Sequence, residues 1–103
     1  MDSIAITDMR GNFIDVNPSF CNLIGYSRDE LLSMSTADID ARALPDEMDV
    51  YLKQIATSGK ARFRTPLKCK DGSIAEAEIS ATVAEIDNER LFLCLAHDIT
   101  NRM

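Results

Sequence analysis

The chain has 103 residues, close to the commonest size of one domain and too few for a second core of its own. With 46% hydrophobic and 27% charged residues, it is neither polar enough to stay disordered nor apolar enough to sit in a bilayer. Eleven basic against seventeen acidic residues leave a net charge of -6, and the basic residues are scattered apart from Lys60, Arg62, Arg64, Lys68 and Lys70, which argues against nucleic acid as a partner.

The chain opens with a strand from Ser3 to Asp8, a reversal at Met9-Arg10-Gly11-Asn12 and a returning strand Phe13 to Val16, together a hairpin. Asn17-Pro18 then starts a helix, since asparagine accepts from a free first-turn amide and proline's fixed φ suits the first helical position. Phe20, Leu23 and Ile24 give that helix an apolar side, and Gly25 ends it. Ser27 and Glu30 stand at capping-box spacing before Leu31-Leu32 and start a second short helix. Between Ser35 and Ala43 the signals are weak, with Thr36 or Asp38 as caps for a single turn. Pro45-Asp46-Glu47 opens a longer helix whose buried stripe is Met48, Tyr51, Leu52 and Ile55 and whose end is Gly59.

Beyond Gly59 the period changes from helical to two-fold and predicts three strands: Lys60 to Lys70, Ser73 to Ile86 and Arg90 to Ile99, turning at Asp71-Gly72 and Asp87-Asn88. Pro66 lacks an amide proton and puts its strand at a sheet edge or bulge. The run Leu91 to Ala96 has no polar side, which implies a central strand, and Ile4-Ala5-Ile6 has the same character, so the two are expected to pair. Five strands with helices inserted after the second make an α+β domain, helices on one side of the sheet and the other side needing a partner.

The run Leu91 to Ala96 is too short to span a membrane, and the N-terminus lacks a basic segment followed by an apolar stretch and a cleavage site. The expectation is a cytoplasmic domain without membrane insertion. Cys21, Cys69 and Cys94 are odd in number and show no CxxC or Cys/His spacing, so they read as small buried hydrophobes in a reducing compartment and not as a disulfide or zinc framework.

Ile6-Thr7-Asp8 through Gly11, Asn17-Pro18-Ser19-Phe20, Gly25-Tyr26-Ser27, Glu30-Leu31-Leu32, Lys70-Asp71-Gly72-Ser73 and Asp98-Ile99-Thr100 occur in the order and spacing of PAS domains. The chain resembles that family over essentially residues 1–103, as a single sensory domain cut from a longer signalling protein. The resemblance implies an antiparallel sheet in the order 2-1-5-4-3, a pocket between sheet and helices, and a covalently attached effector such as a diguanylate cyclase or histidine kinase. It also implies that Asp98, Ile99 and Thr100 form the signal exit, with Asp98 fixing the last strand and Thr100 capping a following helix.

Each chemistry used by such domains can be tested on the residues. Haem-binding members carry an axial histidine on the long helix, and Pro45 to Ser58 has none; the sole histidine is His97 in the final strand, whose parity turns it away from the pocket. Flavin photoreceptors need a cysteine in an Asn-Cys-Arg-like stretch, where this chain has Thr36-Ala37-Asp38-Ile39-Asp40-Ala41. Leu67, Ala77 and Ala96 stand where flavin-reading amides would be. Haem and flavin are therefore not expected, and no cofactor is named. Nor is there a phosphate loop, a nucleophile elbow or a zinc signature; no catalytic or metal residue is assigned, and the domain is not expected to be an enzyme. Glu76 and Glu78 share a strand face and read as solvated charge.

The expected pocket lining is Ala5, Thr7, Phe20, Ile24, Phe63, Thr65, Leu67, Ala77, Ile79, Ala81, Phe92, Cys94 and Ala96. It either holds a small apolar or weakly polar metabolite oriented by Thr7, Thr65 or a helix amide, or is filled by large side chains from the helices. Ile4, Ile6, Ile74, Leu93, Leu95 and His97 are the expected outer face, where a homodimer or a helix would dock.

Overall fold

The computed structural model describes residues 2–41 and 46–100 and, within residues 46–52, the side chain of Val50 alone. The predicted Pro45 start of the long helix, the Met48, Tyr51 and Leu52 part of its stripe, and the chain after Thr100 lie outside the described residues.

Five strands, β1 (Ser3–Thr7), β2 (Phe13–Val16), β3 (Lys60–Lys68), β4 (Ile74–Ile86) and β5 (Glu89–Asp98), form one antiparallel sheet in the order β2-β1-β5-β4-β3. Four helices, α1 (Pro18–Ile24), α2 (Arg28–Leu31), α3 (Thr36–Ile39) and α4 (Asp46–Ser58), lie between β2 and β3 in sequence. The expected topology holds, with β1 and β5 paired at the centre from Ser3↔Ala96 to Thr7↔Phe92. Pro66 sits on edge strand β3, and its carbonyl points off the sheet to accept from Ala41 N at 2.9 Å. The missing proline N–H therefore falls on the side without a neighbouring strand, and no ladder bond is lost.

Asn17 joins α1 to the sheet. Its Oδ1 accepts from Phe20 N (2.9 Å), capping α1, and from Ile4 N (3.0 Å), while its Nδ2 donates to the Asp2 carbonyl (2.8 Å). Gly25, at φ 81°, ends α1 in the left-handed region that glycine adopts without strain. The predicted capping box of α2 is present, Ser27 Oγ accepting from Glu30 N and Glu30 Oε1 from Ser27 N. For α3 the expected caps give way to Ser35, whose amide is held by Asp38 Oδ2 at 2.9 Å. The strands end slightly short of expectation, because Asp71 closes its hairpin with bonds from Ser73 N and Oγ, and Ser73 and Lys70 fall outside the ladder.

Alternation sorts β1 and β5 onto two faces, and a bulge between Ile6 and Thr7 breaks the β1–β2 register so that Phe13 and Val16 both turn inward while Ile14 is exposed. The core lies between the inner face and the helices, with Ile24, Leu31 and Phe92 fully enclosed. Helix α1 packs on β1, and α4 on β3 and β4.

Candidate ligand cavity and strand exit

The inner face is made of small residues. Ala5, Ala77, Ala81 and Ala96 are all buried, and cross-strand pairing sets Ala5 against Cys94 and Cys94 against Ala81. With so little side-chain volume on the sheet, the helices leave a cavity of about 50 Å³. That is room for a few water-sized groups, since about 10–15 Å³ of space open to a water's centre is enough to hold one water. The described lining carries no imidazole.

Ten residues expected in the pocket line this cavity: Ala5, Thr7, Phe20, Phe63, Thr65, Leu67, Ile79, Ala81, Phe92 and Cys94. Ile24, Ala77 and Ala96 are buried in the surrounding core without reaching it. Phe13, Thr36, Ile39 and Ile55 line it and were not in the expected set. Phe13 is turned in by the bulge, which alternation does not encode. Ile39 sits on a four-residue helix too short to show a period.

The two buried threonines already have partners. Thr7 Oγ1 donates to the Asp8 carbonyl at 3.0 Å and Thr65 Oγ1 to Asp40 Oδ1 at 3.4 Å. Asp40 also bridges Leu67 on β3, so the segment after α3 is tied to the sheet edge beside the cavity. Cys94 contributes a protonated thiol, because burial pushes its pKa up to about 11. All three cysteines are half-buried and free, more open than the buried hydrophobes the sequence implied, and they pack against the core.

At the end of β5, Asp98 Oδ1 accepts from Thr100 Oγ1 (2.6 Å) and Thr100 N (2.9 Å). The Thr100 hydroxyl accepts from Glu76 N at 2.9 Å, and Ile99 N donates to the Glu76 carbonyl at 2.8 Å. The Thr100 side-chain and backbone bonds, helped by His97, hold the Asp98 carboxyl below its ordinary value. Ile99 N and the Thr100 hydroxyl thus tie the strand exit to Glu76 on β4, and Asp98 orients Thr100.

On the outer face, Ile4 pairs with Leu95 and Ile6 with Leu93. Leu95 is 41% exposed, and Ile74 is 46% exposed at the far end of β4, beside Lys68. His97 lies opposite Glu78 and is exposed. Glu76 and Glu78 face outward as expected, Glu78 standing 3.9 Å from both Arg62 and Arg64. Among the described residues, no cluster of three or more potential ligands is placed to hold a metal, and no helix is long and apolar enough to cross a membrane.

Compared with known proteins, residues 1–101 match the family model described as PAS domain. The chain belongs to the PAS domain family. PAS domains are sensory modules. This chain is 26% identical over 98% of its length to a methyl sulfide methyltransferase-associated sensor of Methanosarcina acetivorans, covering 10% of that protein. It is 28% identical over 99% of its length to sporulation kinase E of Bacillus subtilis, covering 14% of it. The chain therefore spans about a tenth of the curated relatives it matches. Among solved structures, the PAS domain of an HTR-like protein from Haloarcula marismortui matches with a TM-score of 0.86 and 26% identity, over 95% of this chain and 81% of that one.

Proposed function

We propose that this PAS domain senses a small molecule held in the cavity between sheet and helices and relays its presence, through Asp98, Ile99 and Thr100, to a covalently attached output domain of the histidine kinase or diguanylate cyclase type. The observation that carries the reading is continuity. Phe92 and Cys94 line the cavity on the same strand as Asp98, so a change in how the cavity wall packs moves the strand that the Asp98–Thr100 clamp terminates. The lining favours an apolar or weakly polar ligand: Thr7 and Thr65 already have hydrogen-bond partners, Thr36 adds one hydroxyl, and the other described lining side chains present carbon or sulfur. In this reading Thr100 also caps a helix that follows, and the domain acts without catalysis of its own. Three free thiols fit a cytoplasmic location.

The test is Asp98→Ala in the whole signalling protein, with the isolated domain followed by circular dichroism. The reading expects a folded domain and an output no longer responsive to the signal; a folded variant with unchanged response contradicts it.

A second reading, relay by a ligand-free homodimer, is favoured by the half-exposed Ile4, Ile6, Leu93 and Leu95 on the outer face. Sedimentation at high concentration separates the two: a stable monomer counts against the dimer.

A further inference from the structure

Helix α3 runs from the β1–β2 hairpin to the edge strand β3 and is tied down at both ends. On one side Thr36 N donates to the Gly11 carbonyl at 2.9 Å and Ser35 bridges Asn12; on the other Asp40 bridges Leu67 and Ala41 N donates to the Pro66 carbonyl at 2.9 Å. Thr36 and Ile39, three residues apart and so on one side of the turn, both line the cavity. Both ends being bonded to the sheet, the position of Thr36 relative to the cavity is fixed by backbone bonds and not by its own side chain.

The polar groups of the lining differ in what they already do. Thr7 Oγ1 is bonded to the Asp8 carbonyl and Thr65 Oγ1 to Asp40, while Cys94 is a protonated thiol and a weak donor. The Thr36 hydroxyl, by contrast, makes no hydrogen bond among the described residues. The reason is local. A threonine inside a helix commonly bonds back to a carbonyl of the preceding turn, but Thr36 is the first residue of α3 and follows an extended Ser35 (φ −123°, ψ 169°), so no helical turn precedes it. Its half-buried position leaves the hydroxyl within reach of solvent and spares it the cost of an orphaned buried donor. None of the described lining residues is charged, and an unpaired charge is far costlier to bury than a neutral polar group.

We propose that Thr36 decides what the cavity accepts, a neutral molecule with one hydrogen-bonding oxygen, such as a short alcohol or ketone, held with that oxygen on the Thr36 hydroxyl and its carbon body against Ile79, Ala81 and Phe92. The proposal rests on the reading of the cavity as a ligand site and adds the ligand's class and the residue that orients it. The cavity of about 50 Å³ limits such a molecule to about three to five non-hydrogen atoms. A hydroxyl both donates and accepts, so an alcohol and a ketone suit it equally. Because the hydroxyl is not stranded in a dry interior when unbonded, its preference is severalfold and not the thousandfold of a fully enclosed polar site.

The experiment follows the backbone amides of Ala81, Phe92 and Cys94 by heteronuclear NMR while this chain, Thr36→Val and Thr36→Ser are each titrated with propan-2-ol and, separately, with xenon, an apolar probe of small cavities. Valine keeps the shape of threonine without its hydroxyl, and serine keeps the hydroxyl. Propan-2-ol is expected to bind Thr36→Val about fivefold or more weakly than the unaltered chain and Thr36→Ser within about twofold of it, while xenon binds all three within about twofold. Undiminished binding of propan-2-ol to Thr36→Val, or an equal loss of both probes there, overturns the assignment of Thr36 and leaves the cavity standing as a ligand site. Binding of xenon without propan-2-ol to the unaltered chain overturns the assignment in the same way. Binding of neither probe overturns the cavity reading as well.

Discussion

The two sides of this sheet are built from the same strands and distribute side-chain size in opposite ways. Toward the helices the central strands present Ala5, Cys94, Ala96, Ala81 and Ala77 beside the larger Phe92 and Ile79; toward the outside they present Ile4, Ile6, Leu93 and Leu95. A sheet serving only to bury a core would place its large residues under cover and its small ones in the open. Here the covered side is thinned until a cavity remains, and the open side keeps enough apolar surface to be a contact. The fold is stabilised where helices meet the inner face, and the proposed ligand and docking sites are what each side leaves unfilled.

The sharpest way to separate the two sides is by truncation. Ile24→Ala removes a fully enclosed side chain and is expected to destabilise by about 2–5 kcal/mol, whereas Leu95→Ala on the outer face is expected to change stability by no more than about 0.5 kcal/mol. Urea unfolding of both variants measures the contrast, and comparable losses would remove the distinction between the faces. Next in size is Asn17→Ala, expected to lower stability by about 2 kcal/mol, because one oxygen caps α1 and serves the Ile4 amide. Asn17→Asp keeps that acceptor but sets an oxygen against the Asp2 carbonyl, and should recover only part of the loss.

The centre and one edge of the sheet are legible in the amino-acid sequence for identifiable reasons, and the full strand order through the resemblance. Pro66 marks the edge, the two-sided apolar runs Leu91–Ala96 and Ile4–Ile6 mark the centre, and Asp87-Asn88 marks the last hairpin, where both residues adopt positive φ. The cavity is legible only from the strand side. Parity puts Ile79, Ala81, Phe92 and Cys94 on the correct face, but which inward residues meet open space and which meet a helix depends on packing above them, so parity includes Ala77 and Ala96 and misses Ile39 and Ile55. The exit clamp can be named only through the resemblance, since nothing in local spacing shows Glu76 as the acceptor and donor for a segment 24 residues away.

Smaller effects sharpen the comparison by pH. Burial raises the Cys94 thiol to about 11 from an ordinary value of 9.0, so its stability contribution is complete below about pH 9 and lost as pH rises through 11, where the unfolded chain already holds the thiolate. At pH 8 its alkylation by iodoacetamide should be roughly a hundredfold slower in the folded chain than in urea, as the thiolate fraction dictates. On the acid side, the lowered Asp98 carboxyl contributes stability that is present above about pH 4 and lost as pH falls through its folded value. Asp98→Asn should flatten that part of the acid-unfolding curve slightly, and an unchanged curve would deny the Thr100 hydrogen bonds a part in it.

The central claim is that the thinned inner face holds a ligand, and it is tested most directly by native mass spectrometry of the chain and of Ala81→Phe, both purified from cells and compared with their denatured masses. Ala81 is buried and lines the cavity, so a phenyl ring there occupies the space at a cost of about 1–3 kcal/mol. The account predicts an additional mass on the unaltered chain that is lost on denaturation and is missing from Ala81→Phe. A bare unaltered chain, or the same additional mass on both proteins, would contradict it.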